Sequence, residues 1–202
     1  MIVIGLTGRA RSGKDTVADY LVERHGFTKM SFAGPLKQVA RATDPILGFD
    51  VRNPGHLIRL SEALEYLTED QIKGLYPEYR RFLQTLGTDG IRAIDPDFWM
   101  NAAIDGVRRK RLDRVVFTDT RFMNECQAIW RHMRGWLDHS EVWHVNRPSL
   151  PPLDENAHIS EQDAGTFGED RWINNTGDLD HLGYEVLCAL KEAEVMGQVR
   201  AA

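Results

Sequence analysis

The sequence predicts an α/β fold, a mostly parallel sheet flanked by helices, and three observations carry that prediction. Short apolar runs alternate with stretches of helical period, the order expected of βαβ units. The first run, Ile2 to Leu6, opens onto Gly8-Arg9-Ala10-Arg11-Ser12-Gly13-Lys14, a glycine-rich turn followed at once by a helix-period segment. At 202 residues and 42% hydrophobic composition, the chain suits one core-forming domain, residues 1–202.

Taken in order, strands are expected at 2–6, 27–32, 114–119, 141–146 and 171–174. Val17, Ala18, Leu21 and Val22 share one face of the helix after the first strand. Leu57, Leu60, Leu64 and Leu67 predict a further helix, as do Tyr79, Phe82, Leu83 and Leu86. No strand is expected between Pro35 and Gly90, a stretch too long for a plain crossover. Residues 35–92 therefore read either as a helical insertion over the C-terminal edge of the sheet, where open α/β sheets bind ligands, or as a structural helical subdomain. Residues 147–168 hold Pro148, Pro151, Pro152, Gly165 and Gly168 with little apolar periodicity, which predicts a mobile lid or a passive surface loop.

Composition narrows the function classes. A net charge of -5 gives no basic footprint for nucleic acid, so the expected partners are small molecules. No apolar run reaches the ~20 residues of a membrane span, and Ile2 to Leu6 reads as a strand rather than a signal peptide. The two cysteines, Cys126 and Cys188, fall in helix-like stretches without metal-ligand spacing. They read as reduced core residues of a cytoplasmic protein.

The chemistry concentrates in Gly8, Arg9, Ala10, Arg11, Ser12, Gly13, Lys14, Asp15 and Thr16, a G-x-x-x-x-G-K motif between a strand and a helix. Its glycines let successive N–H groups surround a phosphate, and the helix N-terminus adds partial positive charge. Lys14 is placed to reach the β- and γ-phosphates of ATP. Asp15 stands where a hydroxyl residue commonly follows the lysine, so the Mg²⁺ ligand becomes Thr16, one place later. A second signal is Arg114-Val115-Val116-Phe117-Thr118-Asp119, an apolar strand ending in a carboxylate, with Arg121 beyond it. Asp119 either faces a metal ion or its waters, or caps the helix that follows. Lys37, Gln84 and Arg92 supply cation and amide donors of the kind an acceptor phosphate needs, but their spacing alone does not separate them from solvated surface residues.

Several blocks in sequence order resemble the bacteriophage deoxynucleoside monophosphate kinases. They are Gly13-Lys14-Asp15-Thr16-Val17-Ala18-Asp19, Ser31-Phe32-Ala33 with Pro35-Leu36-Lys37, Leu83-Gln84-Thr85-Leu86-Gly87-Thr88 with Arg92, Asp119-Thr120-Arg121-Phe122 with Asn124-Glu125, His158-Ile159-Ser160-Glu161, and Asn175-Thr176-Gly177-Asp178-Leu179. The resemblance implies a nucleoside-monophosphate-kinase-like three-layer fold with a five-stranded parallel sheet, an acceptor-binding insertion and a lid. It implies phosphoryl transfer from ATP with Mg²⁺ onto a deoxynucleoside monophosphate, by a monomer or homodimer, in the host cytoplasm if the gene is a phage's. It also implies that Lys14, Asp119 and Arg121 are catalytic, that Lys37, Gln84, Arg92 and Arg121 surround the acceptor, and that Asn175 and Gly177 lie by the ATP. His158 takes a lid or phosphate-contacting role, or pairs structurally with Glu161. An anionic phosphate acceptor needs no general base. Two other readings share the loop: a dephospho-coenzyme A kinase, whose hydroxyl acceptor would need a base such as Asp15, and a nonenzymatic ATP-binding module.

Overall fold

Strand β1 (Ile2–Thr7) leads into helix α1 (Lys14–His25), β2 (Thr28–Met30), α2 (Gly34–Thr43), β3 (Ile46–Asp50), β4 (Asn53–Arg59), α3 (Leu60–Leu64), α4 (Glu69–Leu75) and α5 (Pro77–Gln84). A π-helical segment, Thr85–Arg92, continues α5. Then follow α6 (Phe98–Lys110), β5 (Arg114–Phe117), α7 (Met123–His132), β6 (His139–Asn146), β7 (Arg171–Asn174) and α8 (Leu179–Ala201). This computed structural model describes residues 1–132, 139–152 and 165–201. The chain forms two units, Met1–Phe32 with Ile104–Ala202, and Ala33–Ala103.

The first unit is built on a five-stranded sheet in the order β2-β5-β1-β6-β7, and all of its pairings are parallel. The strands fall where the apolar runs predicted them. β5 is shorter than expected, ending at Phe117, although the Thr118 N–H still donates to Met30 O of β2 at 3.2 Å. Strand period two divides the side chains between faces. Ile4, Leu6, Val116, Trp143, Val145 and Ile173 pack with Val17, Ala18 and Leu21 of α1 and Leu182, Val186 and Leu190 of α8. Each large aliphatic side chain so buried contributes roughly 1.5–3 kcal/mol. On the opposite face α7 comes so close that a Cβ on Gly5 would lie 2.2 Å from Ile129 Cδ1 and 2.8 Å from Thr120 Oγ1. The sheet is thus the middle of three layers. α1 ends at Gly26, whose left-handed backbone (φ 69) turns its N–H back to Leu21 O.

The second unit has its own core of Ala40, Leu47, Ile58, Leu60, Ala63, Ile72, Tyr76 and Tyr79. It corrects one expectation, because the stretch read as strand-free contains the antiparallel ribbon β3–β4. Neither strand alternates cleanly: Gly48, Pro54 and Gly55 interrupt the pattern, and only Leu47, Asp50 and Ile58 are buried. The turn supplies what the pattern lacks, since Asp50 Oδ1 accepts the Arg52 N–H at 2.9 Å and the carboxylate also takes the Arg52 guanidinium. Leu57 accordingly lies exposed on β4 rather than on a helix, and Leu67 lies beyond the short α3.

Cys126 is buried in α7, where burial pushes its thiol up to about 12, and Cys188 lies on α8; neither is in a disulfide. Among the described residues no helix is long and apolar enough to cross a membrane.

Candidate active site

β1 is the central strand, so its C-terminal end delivers the glycine-rich loop to the middle of the sheet edge. Gly8 and Gly13 take φ values of 131° and 108°, which side-chain-bearing residues rarely adopt. Space excludes a side chain as well. A Cβ on Gly8 would sit 2.5 Å from Val145 O, and one on Gly13 would sit 2.6 Å from Asn175 Nδ2. Arg11 between them is also left-handed, at φ 64°. α1 starts directly after Gly13, which brings no side-chain acceptor to the first turn. A helix N-terminus of this kind attracts anions.

Lys14 folds back across the loop, donating from Nζ to Gly8 O at 2.6 Å and Arg9 O at 2.7 Å. The ammonium is therefore tied to two carbonyls at the start of the loop. Ser12 Oγ is buried beside Gly8 with no hydrogen-bond partner among the described residues. Asn175 braces the loop from β7, its side-chain amide donating to Ser12 O at 2.8 Å and its N–H to Asn146 O at 2.8 Å. Gly177 lies just past it, where a Cβ would meet His181 Cβ at 2.8 Å. Thr16 and Asp15 are exposed on the first turn of α1. Asp15 pairs with Lys29 Nζ at 2.9 Å, so its carboxylate is already answered by a cation.

Asp119 lies two residues past β5 and ties the neighbouring strand's exit to it. Oδ2 accepts from Ser31 Oγ at 2.6 Å, and Oδ1 accepts the Phe32 N–H at 2.8 Å. The acceptor for the start of α7 is Glu125, whose Oε2 takes the N–H groups of Arg121 at 2.7 Å and Phe122 at 3.1 Å. In the sequence, only its place in the first turn of a helix marks Glu125 for this role. It fixes the Arg121 backbone and leaves the residue exposed.

A further polar chain lies under the loop, and the sequence pattern gave no hint of it. Thr7, His144 and Glu169 meet there, with Thr7 Oγ1 3.1 Å from His144 Nδ1 and 3.0 Å from Glu169 Oε1. Burial pushes His144 below the usual histidine range; Glu169 opposes that shift and Lys14 adds to it.

The second unit holds Lys37, Gln84 and Arg92. Lys37 Nζ lies 3.3 Å from Glu69 Oε1, and Arg41, one turn on, lies 3.5 Å from Oε2. Tyr79 OH donates to the same carboxylate at 3.3 Å; burial first, and Glu69 second, push that phenol up to about 12. Gln84 ends α5 and Arg92 ends the π-helical segment, a geometry often found at functional sites. Gly87 in that segment is packed against Leu36, whose Cδ2 would be 2.6 Å from a Cβ, and its carbonyl accepts Trp99 Nε1–H at 3.1 Å. His158 and most of residues 147–168 lie outside the described residues.

Comparison with known proteins adds to this geometry. The sequence profile of the deoxynucleotide monophosphate kinase family matches residues 63–186. A putative deoxynucleotide monophosphate kinase of Acanthamoeba polyphaga mimivirus is 31% identical over 180 residues, covering 80% of this chain and 81% of that protein. The deoxynucleotide monophosphate kinase of Enterobacteria phage T4 is 28% identical, covering 95% of this chain and 99% of its own. Among solved structures, a dephospho-CoA kinase from Campylobacter jejuni is 14% identical with a TM-score of 0.48, covering 95% of this chain and 97% of its own.

Proposed function

We propose that this chain, which belongs to the deoxynucleotide monophosphate kinase family, moves the γ-phosphoryl group of ATP onto the phosphate of a deoxynucleoside monophosphate. Membership makes it a nucleotide kinase; the donor, the metal and the residue roles are our reading. The observation that carries this reading is the loop at Gly8–Thr16, with two glycines in conformations that side-chain-bearing residues rarely adopt and an ammonium held across its carbonyls.

Lys14 exchanges its carbonyl partners for β- and γ-phosphate oxygens when ATP binds, and the loop N–H groups of residues 8–16 cradle the β-phosphate. Arg121, its backbone fixed by Glu125, forks onto the acceptor phosphate or the transferring group. Lys37, Gln84 and Arg92 contribute to acceptor binding, Asn175 and Gly177 lie by the ATP, and residues 147–168 serve as a lid with His158. Positioning and charge neutralisation are the whole of the catalysis, since an acceptor that is already an anion needs no base. Asp15, paired with Lys29, is accordingly given no proton-transfer role.

The oxygen donors of this site suit Mg²⁺. Among the described residues no three carboxylates, imidazoles or thiols gather to cage a metal ion, and Mg²⁺ ordinarily takes one or two protein oxygens beside phosphates and waters. Thr16 Oγ1 and Asp119 are the oxygens proposed for it. Bound there with ATP, it would neutralise charge on the β- and γ-phosphates.

The test is ADP release measured with each deoxy- and ribonucleoside monophosphate and with dephospho-coenzyme A as acceptor. Turnover with deoxynucleoside monophosphates and none with dephospho-coenzyme A is expected. Turnover of the coenzyme precursor alone would overturn the acceptor assignment.

A further inference from the structure

The chain Thr7–His144–Glu169 is a built feature that phosphoryl transfer by Lys14 and Arg121 leaves unexplained. Thr7 is the last residue of β1 and the one before Gly8, it is fully buried, and the parallel register sets it beside His144. Its hydroxyl has one proton to give. Trp143 O, at 3.5 Å, is too far to compete for it, so the proton goes to Glu169 Oε1 at 3.0 Å. The hydroxyl then accepts from His144, which assigns the ring proton to Nδ1.

The same Oε1 also accepts the Gly165 N–H at 2.9 Å. Gly165, at φ 92°, sits on the imidazole so closely that a Cβ would be 3.0 Å from His144 Cε1. The side chain of Glu169 is only 1% exposed, and the nearest basic atom among the described residues is His144 Nδ1, 3.7 Å away. Among the described residues no Lys or Arg answers this carboxylate, and a buried charge held by neutral donors alone costs more than an apolar residue would. Its neighbour Asp170 meanwhile anchors the segment to the sheet, since its N–H donates to Val142 O, and Oδ2 takes the Val142 N–H and Trp130 Nε1–H. One oxygen of Glu169 is therefore shared between the residue that launches the phosphate loop and the turn that leads into β7.

We propose that Glu169 is a positioning residue that couples the phosphate loop to the Gly165–Glu169 turn through Thr7, so that nucleotide in the loop tightens the Gly165 hydrogen bond. Gly8 is wedged between Val145 O and Ser12 Oγ, so a displacement of Thr7 reaches the cradle directly. This rests on the reading of Gly8–Thr16 as a nucleotide loop.

The experiment measures exchange of the Gly165 amide proton by NMR, with and without saturating Mg²⁺–ADP, and ADP affinity by calorimetry. Wild type and Thr7→Ser, which keeps the hydroxyl, should show Gly165 exchange slowed roughly five- to tenfold by ADP, the worth of about one hydrogen bond. Thr7→Val, of like shape without the hydroxyl, should lose the slowing and bind ADP several-fold more weakly; Thr7→Ala serves the same purpose if the valine variant does not fold. Unchanged Gly165 exchange in a wild type that binds ADP would overturn the coupling while leaving the loop assignment intact. Equal slowing in Thr7→Val would do the same. Failure of the wild type to bind ADP would overturn both.

Discussion

The two ends of β6 bury similar side chains to opposite effect. At the first end Glu141 accepts from His139 Nε2 at 2.7 Å, Trp143 Nε1 at 2.6 Å and Arg171 Nη2 at 2.9 Å, and Arg171 bonds onward to Glu192. Burial alone would raise the Glu141 carboxyl, but Arg171, His139 and Trp143 outweigh it and hold the group below the usual range. At the last end Glu169 has a hydroxyl and an amide N–H, while the nearby positive charge, on Lys14, is held by carbonyls of the loop. One end is a closed ion pair that fixes the sheet. The other holds its ammonium on the carbonyls of the loop, where we propose that it meets phosphate.

The contrast breaks first at Lys14. Lys14→Ala should lower turnover by at least about 10²–10³-fold, the scale of one lost electrostatic contact to the transition state, with an unchanged far-UV circular dichroism spectrum. Activity within a few-fold of wild type would remove the phosphate loop from the mechanism. At the opposite end, Arg171→Met strands Glu141 in the core and should cost about 3–5 kcal/mol in urea unfolding. A loss under 1 kcal/mol would mean that the network there is not what fixes the sheet.

A smaller effect is expected at Arg121. Arg121→Lys keeps the charge and loses the fork, so kcat should fall roughly 10- to 100-fold and acceptor binding weaken, with ATP affinity little changed. Normal kcat with weakened ATP binding would move Arg121 to the donor side.

Acid separates the two ends most finely. His144 is depressed in the folded chain, so its stabilising contribution is complete above the unfolded value of about 6.5 and is lost as pH falls through the lower folded value. Glu141, also depressed, is complete above about 4.5 and lost below it. Urea midpoints followed from pH 7.5 to 3.5 should show both losses, the first no steeper than about 1.4 kcal/mol per pH unit. His144→Gln should abolish only the earlier one. An unchanged early slope in that variant would exclude His144 as its source.

What the sequence disclosed follows from the range of each interaction. The loop, its flanking strand and α1 are contiguous, so glycine spacing and period were enough to read them. β1 and β5 are legible as short apolar runs, whereas β2, β6 and β7 mix polar with apolar side chains and stand out mainly by their place between helix-period segments. The β3–β4 ribbon was not legible, since Gly48, Pro54 and Gly55 break its alternation and a local turn bond at Asp50 replaces it. Asp119 was recognised as a strand-end carboxylate, yet its grip on Ser31 and Phe32 depends on β2 lying beside β5, a fact of topology. Glu169 was invisible for the same reason: Thr7 is 162 positions away, and no local pattern marks the pair.

Gly5 carries a consequence for how sequences of this fold can drift. A methyl group there would meet the far end of Ile129, which can swing or be shortened, and the hydroxyl of Thr120, whose β-branched side chain has little freedom. Shortening Ile129 thus relieves only half of the clash. Thr120 stands between Asp119 and Arg121, so the remaining half is felt in the residues proposed for metal and acceptor. Alanine at position 5 would become admissible only once Thr120 is replaced and Ile129 has swung away or been shortened, so substitutions at 5 and 120 should be epistatic, with the change at 120 the first to arrive.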